Sequence, residues 1–405
     1  MRIPVCVLLL LVSLGTARVG GQSLPEGPYG SPDGSLLVGG EIVGTIGMPD
    51  NIAFFNYTDY EHNALRMVRF ALAGQWKPFA PVAFVAEIRS EDLQHVAAHA
   101  AYIRIRPWQS QAFDIQAGRI PPSFGAYGRR AYSADNPLIG YPLAYQYLTS
   151  LRPDAIPAST DDLLVMRGRG WRSNFPIGSP TEAPGVPLVS AFRWDTGVQA
   201  RWSGSRVEAT ASITAGTLSD PRISDNNDGR QLAARVAARP TIGLILGASA
   251  ARGEWLSKTV VDRLPEVVRN GSYTQRAFGV DGEYSRNHWL VRGELVWSRW
   301  TIPLLVPGGD RPLSALGMWL EGRYRLTPRL FVAARADRLG FAEISGALFD
   351  GRPMSWDANV ERVEVGAGWY FQRNLVGRAV VQHNWRDGGR ITSRTFVSGQ
   401  LAYWF

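Results

Sequence analysis

The sequence predicts an all-β fold, a transmembrane antiparallel β-barrel of about sixteen strands, on two observations. Nearly every segment of roughly 10–15 residues beyond Ser35 alternates in polarity, so each strand shows two different faces. The connections between these segments alternate between tight turns and long loops. Strands of a soluble sandwich are nearer 5–6 residues, whereas segments of this length cross a bilayer at a tilt.

Taken in order, the expected strands are 36–47, 64–75, 82–91, 98–107, 111–120, 190–203, 205–217 and 229–239 in the first half. The second half supplies 241–254, 273–286, 288–300, 313–326, 329–339, 358–372, 374–386 and 390–405. The alternation assigns faces. Val82, Phe84, Ala86 and Ile88 oppose Glu87 and Arg89, and Ala101, Ile103 and Ile105 oppose Tyr102, Arg104 and Arg106. Trp289, Val291, Gly293, Leu295 and Trp297 oppose Arg292 and Glu294. Leu316, Met318, Leu320, Gly322 and Tyr324 oppose Glu321, Arg323 and Arg325. An arginine facing hydrocarbon costs about 2–4 kcal/mol at mid-bilayer, so the charged face must be the inner one.

Tight turns are expected at KPFAP, Gly204, Pro240, Asn287, Thr327–Pro328 and Arg373. Long loops are expected at 48–63, 121–189, 218–228, 255–272, 301–312 and 340–357. The 121–189 connection is rich in proline, tyrosine and arginine and has no period of 2 or 3.6. Loops beyond about 12–15 residues are functional or disordered, and this one is too aromatic for disorder. Trp289, Trp297, Trp300, Trp369, Trp385, Tyr403 and Phe405 are expected to form interfacial girdles.

Composition agrees. The 405 residues are 45% hydrophobic and 19% charged, with a net charge of +8. Lys77 and Lys258 are the two lysines, so the positive charge is arginine spread singly along the chain. No nucleic acid partner is expected, because no basic patch interleaved with aromatics is visible. Residues 1–22 carry Arg2, the apolar run Val5–Leu14 and small residues after it, the pattern of a signal peptide cleaved after Ala17 or Gly21. Residues 23–35 read as a short lead and 36–405 as the barrel. Cys6 falls within the leader, so the mature chain offers no thiol chemistry.

The chain ends GQLAYWF, which resembles the C-terminal strand signal of bacterial outer-membrane proteins. That resemblance implies an assembly role for Leu401, Tyr403 and Phe405 and the barrel-assembly machinery as a partner. The stretch FDIQAGRIPPSFG (113–125) resembles the strand and loop entry of the sixteen-strand phosphate-selective porin group. That group carries lysines in its binding region, so the resemblance implies the fold of a porin and not phosphate selectivity. It also implies that the 121–189 loop, third on the extracellular side, folds into the lumen. Outer-membrane lipid, lipopolysaccharide and a homotrimer are the partners it implies.

On that footing the expected function is passive diffusion of small hydrophilic solutes, with weak anion preference. The alternative is a barrel that sheathes a partner protein or serves in envelope assembly. Arg129, Arg130, Arg152, Arg167, Arg169 and Arg172 are the candidates for the constriction, with Asp135, Asp154, Asp161 and Asp162 opposite. The same arginines could simply pair with those aspartates to hold the loop down. Arg104, Arg106, Arg235, Arg239, Arg292, Arg323, Arg325, Arg335 and Arg378 are expected on the lumen wall. Glu87, Glu294, Glu321, Asp337 and Glu364 share that face. No nucleophile elbow is present, and His95 and His99 with Glu91 and Asp92 read as a solvated turn. Catalysis, cofactor and metal are therefore not expected.

Overall fold

The computed structural model describes residues 29–405 apart from 59–61, 109, 307–308 and 348–349. The expected leader 1–22 and the first part of the lead lie outside the described residues. One antiparallel sheet of seventeen strands closes on itself; its smallest member, Tyr29–Gly30, pairs with Leu37–Val38, leaving sixteen long strands.

These strands are β1 Leu36–Gly47, β2 Val68–Phe79, β3 Val82–Glu91, β4 His95–Ile105, β5 Phe113–Ile120, β6 Asp195–Ser203, β7 Val207–Thr214 and β8 Gln231–Ala238. The second half comprises β9 Leu244–Glu254, β10 Thr274–Arg286, β11 Trp289–Val306, β12 Gly309–Arg325, β13 Leu330–Phe341, β14 Val360–Gln372, β15 Leu375–Arg386 and β16 Ser393–Trp404. Each pairs with its neighbours in sequence. β16 closes on β1 from Glu41 opposite Trp404 to Gly47 opposite Ser398. Beyond that ladder, the Gly40 and Phe405 main chains exchange bonds of 2.9 and 3.0 Å, so the terminal residue completes the seam.

The two faces divide as alternation requires. Ile42, Phe84, Ile103, Phe278, Leu295, Trp297, Leu320, Val365, Val381 and Leu401 are exposed on the outer face. The inner face buries Glu41, Arg69, Glu87, Arg235, Arg292, Glu294, Glu321, Arg335, Arg362 and Glu364. A largely apolar exterior around a charged interior is the reverse of a water-soluble protein and marks the outer surface as the membrane-facing one. Short turns close one end. Asn287, between β10 and β11, adopts φ of 54°, a left-handed conformation that asparagine tolerates better than most residues.

Three expectations need correction. The second strand starts at Val68 rather than at 64, because 62–67 bridge back to the first loop, with Tyr57 opposite Asn63. The expected loop at 301–312 is mostly strand: β11 runs on to Val306 and β12 begins at Gly309, with a register shift between Ile302 and Val306. Pro303 cannot donate to a ladder, which is why the pattern reads as broken there; the irregular pairing absorbs it. Trp300 is not a girdle residue. It is fully buried on the inner face, 6.0 Å from the Trp356 ring in an edge-on contact.

Candidate functional site

The polar inner wall is built row by row. Glu283, Arg292, Glu321, Arg335, Glu364 and Gln382 stand directly opposite one another on β10 to β15. Opposite charges alternate along this row. Arg292 Nε lies 2.6 Å from Glu321 Oε1, and Arg335 reaches Glu321 at 3.3 Å, Glu364 at 2.8 Å and Asp337 at 3.0 Å. Arg335 and its three partners are all buried, so each charge needs its partner: the attraction must offset a desolvation cost of several kcal/mol per ion.

The 121–189 segment is bound to this face. It holds short helices at Leu143–Gln146 and Thr160–Val165 and a two-residue ladder between Ala155–Ile156 and Ile177–Gly178. It has little ladder of its own, so its buried N–H groups need other acceptors. Wall carboxylates supply them. Ile139 and Gly140 donate to Glu364 at 3.1 and 2.8 Å, Leu143 to Asp337 at 3.2 Å, and Ser133 to Glu41 at 3.0 Å. Glu294 accepts from the Ala126 N–H at 3.2 Å and the Tyr145 hydroxyl at 2.7 Å, and Glu87 accepts from the Tyr132 hydroxyl at 2.6 Å. Arg378 donates to the Ser133 carbonyl at 2.6 Å.

Arg362 ties three parts together. It donates to Asn384 on the wall, to the Tyr141 carbonyl of the segment at 2.9 Å, and to the Phe55 carbonyl of the first loop at 2.8 Å. From the loop after β13, Asp357 accepts from the N–H groups of Ser150 and Gly168 at 2.6 and 2.8 Å. Burial raises the Asp357 carboxyl above its usual range and pushes the Tyr147 phenol up to about 12. Between the segment and the wall lies a cavity of about 10 Å³, bordered by Arg69, Ser133, Asn136, Tyr141 and Gln400. That is room for a single water at most.

The arginines expected at a constriction do not converge. Arg152 is buried and pairs with Asp154 at 2.8 Å while donating to the Ser173 and Thr181 carbonyls at 2.8 and 2.7 Å. Arg167 binds the Ser355 hydroxyl and Asp387, both at 2.7 Å. Arg130 pairs with Glu283 on the wall, and Arg169 and Arg172 are exposed. The Arg129 side chain lies outside what is described. Asp162 caps the Thr160–Val165 helix in a reciprocal pair with Ser159.

The wall residues split by depth. Glu87, Arg235, Arg292, Glu294, Glu321, Arg335 and Arg378 are buried, whereas Arg104, Arg106, Arg239, Arg323 and Arg325 keep some exposure towards the short-turn end. There Arg106 pairs with Asp114 at 2.9 Å and Arg239 with Glu208 at 3.2 Å. Sequence reasoning missed Glu41, Arg69, Arg362 and Arg386 on the inner face. Parity could have found Arg362, which lies two residues before Glu364 on the same strand face.

A closed sixteen-strand antiparallel barrel with a charged inner face and a largely apolar outer one has a porin-like fold. No protein-family model matches the chain, and no curated protein matches it. Among solved structures, the anion-selective porin from Comamonas acidovorans matches with a TM-score of 0.54 at 9% identity, over 92% of this chain and 99% of that one. The outer membrane channel DcaP of Acinetobacter baumannii matches with a TM-score of 0.53 at 10% identity, over 93% and 99%. The trimer form of OmpT, an outer membrane protein of Vibrio cholerae, gives 0.52 at 9% identity, over 91% and 99%. These likenesses are of fold.

Proposed function

We propose that the protein is an outer-membrane channel through which small hydrophilic solutes diffuse passively, its bore narrowed by the 121–189 segment folded into the lumen. The observation that carries this reading is the inner wall itself. A membrane barrel whose inner wall buries arginine and glutamate on most of its strands is built around a polar path, and the segment is hydrogen-bonded to that lining. A weak anion preference follows from Arg104, Arg106, Arg239, Arg323 and Arg325, which keep contact with solvent and are only partly neutralised by Asp114 and Glu208. With the segment hydrogen-bonded to Glu41, Glu87, Glu294, Asp337 and Glu364, much of the inner face is already taken, which favours this reading over a barrel that sheathes a partner protein. Residues 1–22 would direct export, and Leu401, Tyr403 and Phe405 would serve as the assembly signal, Phe405 at the seam. A homotrimer in lipopolysaccharide-containing membrane is the natural assembly for such a barrel.

Single-channel recording in planar bilayers tests the reading. Wild-type protein should conduct weakly, and deletion of Ala131–Thr160 should raise conductance because less of the cross-section is obstructed. Arg323→Ser with Arg325→Ser should shift the preference away from anions, most clearly below 0.1 M salt, where screening extends beyond about 10 Å. Unchanged conductance in the deletion would put the segment outside the path.

A further inference from the structure

The outer face carries charge that the diffusion function does not use, and one row of it is positive throughout. Arg252 on β9 stands directly opposite Arg276 on β10, and Arg276 directly opposite Arg299 on β11. All three are exposed, and among the described residues none has an ion-pair or hydrogen-bond partner. Directly opposed side chains on neighbouring strands have Cβ atoms about 5 Å apart, and like charges so placed repel. Arg338, also outward, is by contrast matched by Glu361 at 3.6 Å.

The position of the row is equally specific. Arg252 lies two residues before the end of β9, and Arg276 two residues after the start of β10, at the 255–273 loop. The next outward row towards the middle of the barrel is Ala250, Phe278, Trp297 and Leu316, again directly opposed. Phe278 and Trp297 are 51% and 40% exposed. Aromatic rings on the outer face sit at the boundary of the hydrocarbon, and the arginines sit one row beyond them, at headgroup depth.

We propose that Arg252, Arg276 and Arg299 form a site for the phosphate of a lipid headgroup in the outer leaflet, a phosphorylated glycolipid of the lipopolysaccharide type. The proposal rests on the outer-membrane reading, with the long loops facing outwards. Guanidinium groups bind phosphate oxygens in pairs of parallel hydrogen bonds, and a bound phosphate converts the repulsion along the row into attraction. The acyl chains of the same lipid would lie along Phe278, Trp297, Val280 and Leu295, which are apolar and exposed on the strands below.

The test uses the full mature chain folded in neutral detergent, with native mass spectrometry counting bound lipid. The probes are bis-phosphorylated lipid A, the same lipid with its phosphates removed, and inorganic phosphate. Wild type should retain bis-phosphorylated lipid A, Arg276→Ser should weaken binding at least about tenfold, and Arg252→Ser/Arg276→Ser/Arg299→Ser should abolish it. Arg338→Ser should leave it unchanged. Equal binding by wild type and Arg276→Ser, or equal binding of the phosphate-free lipid, would overturn the site. Displacement by inorganic phosphate at concentrations as low as those of the lipid would show a free-anion site and overturn the lipid assignment. If the triple variant does not fold, Arg252→Ser and Arg299→Ser decide, since each should weaken binding of bis-phosphorylated lipid A as Arg276→Ser does, while Arg276→Lys, which keeps the charge and loses the paired hydrogen bonds, should fall between wild type and Arg276→Ser. A wild-type chain that shows no heat-modifiable barrel would count against the membrane reading itself, which separates the two failures.

Discussion

Two cross-strand rows of this barrel use the same residue in opposite ways. On the inner face, Glu283, Arg292, Glu321, Arg335 and Glu364 alternate in sign over β10 to β14. On the outer face, Arg252, Arg276 and Arg299 repeat one sign over β9 to β11. From Arg292 to Glu364 the inner row is buried, so each charge there must find its partner within the fold. The outer row is open to its surroundings, so its balance can come from outside the chain. Burial, not residue type, therefore decides whether an arginine here is internal structure or a recognition group.

Breaking the inner row should give the largest effect. Arg335→Ala leaves Glu321, Asp337 and Glu364 buried without their shared partner, and a loss of about 3–5 kcal/mol is expected for such a break. Denaturant unfolding of the detergent-folded barrel, followed by gel mobility, measures it. The outer row should respond in the opposite direction, since Arg276→Ser removes a repulsion. A loss from Arg335→Ala no larger than that from Arg338→Ala would mean the inner row is solvated after all.

The wall was legible in the sequence because its period is exactly the property that exposes each face. Strand order, turn sites and the sides taken by Glu87, Arg292 and Glu294 follow from alternation alone. The path of 121–189 was not legible. Its N–H groups bond to Glu41, Asp337 and Glu364, whose proximity is created only when the barrel closes. The expectation that Arg152 would line a bore failed for a local reason: Asp154, two residues on, pairs with it inside the segment. Trp300 misled because its type suits an interface while its parity, one residue after the outward Arg299, points inward.

The two faces can also be compared within one pair of neighbours on β11. Leu295 is exposed on the outer face one row inside the Phe278–Trp297 boundary, so Leu295→Arg should destabilise the barrel by less than the about 2–4 kcal/mol of a mid-bilayer arginine. From sequence, Glu294→Arg would be expected to fold and merely alter selectivity. The structure places Glu294 against the Ala126 N–H and the Tyr145 hydroxyl, so this change should instead release the segment and raise conductance. Unfolding and conductance measured on both variants separate the faces. Equal tolerance of both would mean a register slipped by one residue.

The smallest effect, and one confined to a pH window, belongs to the first loop. Asp50 is buried, accepts the Asn56 N–H at 2.8 Å, and has its carboxyl pushed up from 3.8 to about 6 by burial, against the pull of that bond and of Arg362. A carboxyl whose folded value lies above its unfolded value favours the protonated, folded form. Its contribution is fully present below about pH 4 and is lost as pH rises through 6. A shift of about two units corresponds to no more than about 3 kcal/mol. Asp50→Asn keeps the side chain neutral at every pH, so its stability should be nearly flat between pH 4 and 7 where the wild type declines. The loop joins the segment and the wall through Phe55 and Arg362, so the wild-type decline should be accompanied by rising channel noise above pH 6. Parallel pH profiles for wild type and Asp50→Asn would show that the carboxyl is solvated and that the loop is not packed on the inner wall.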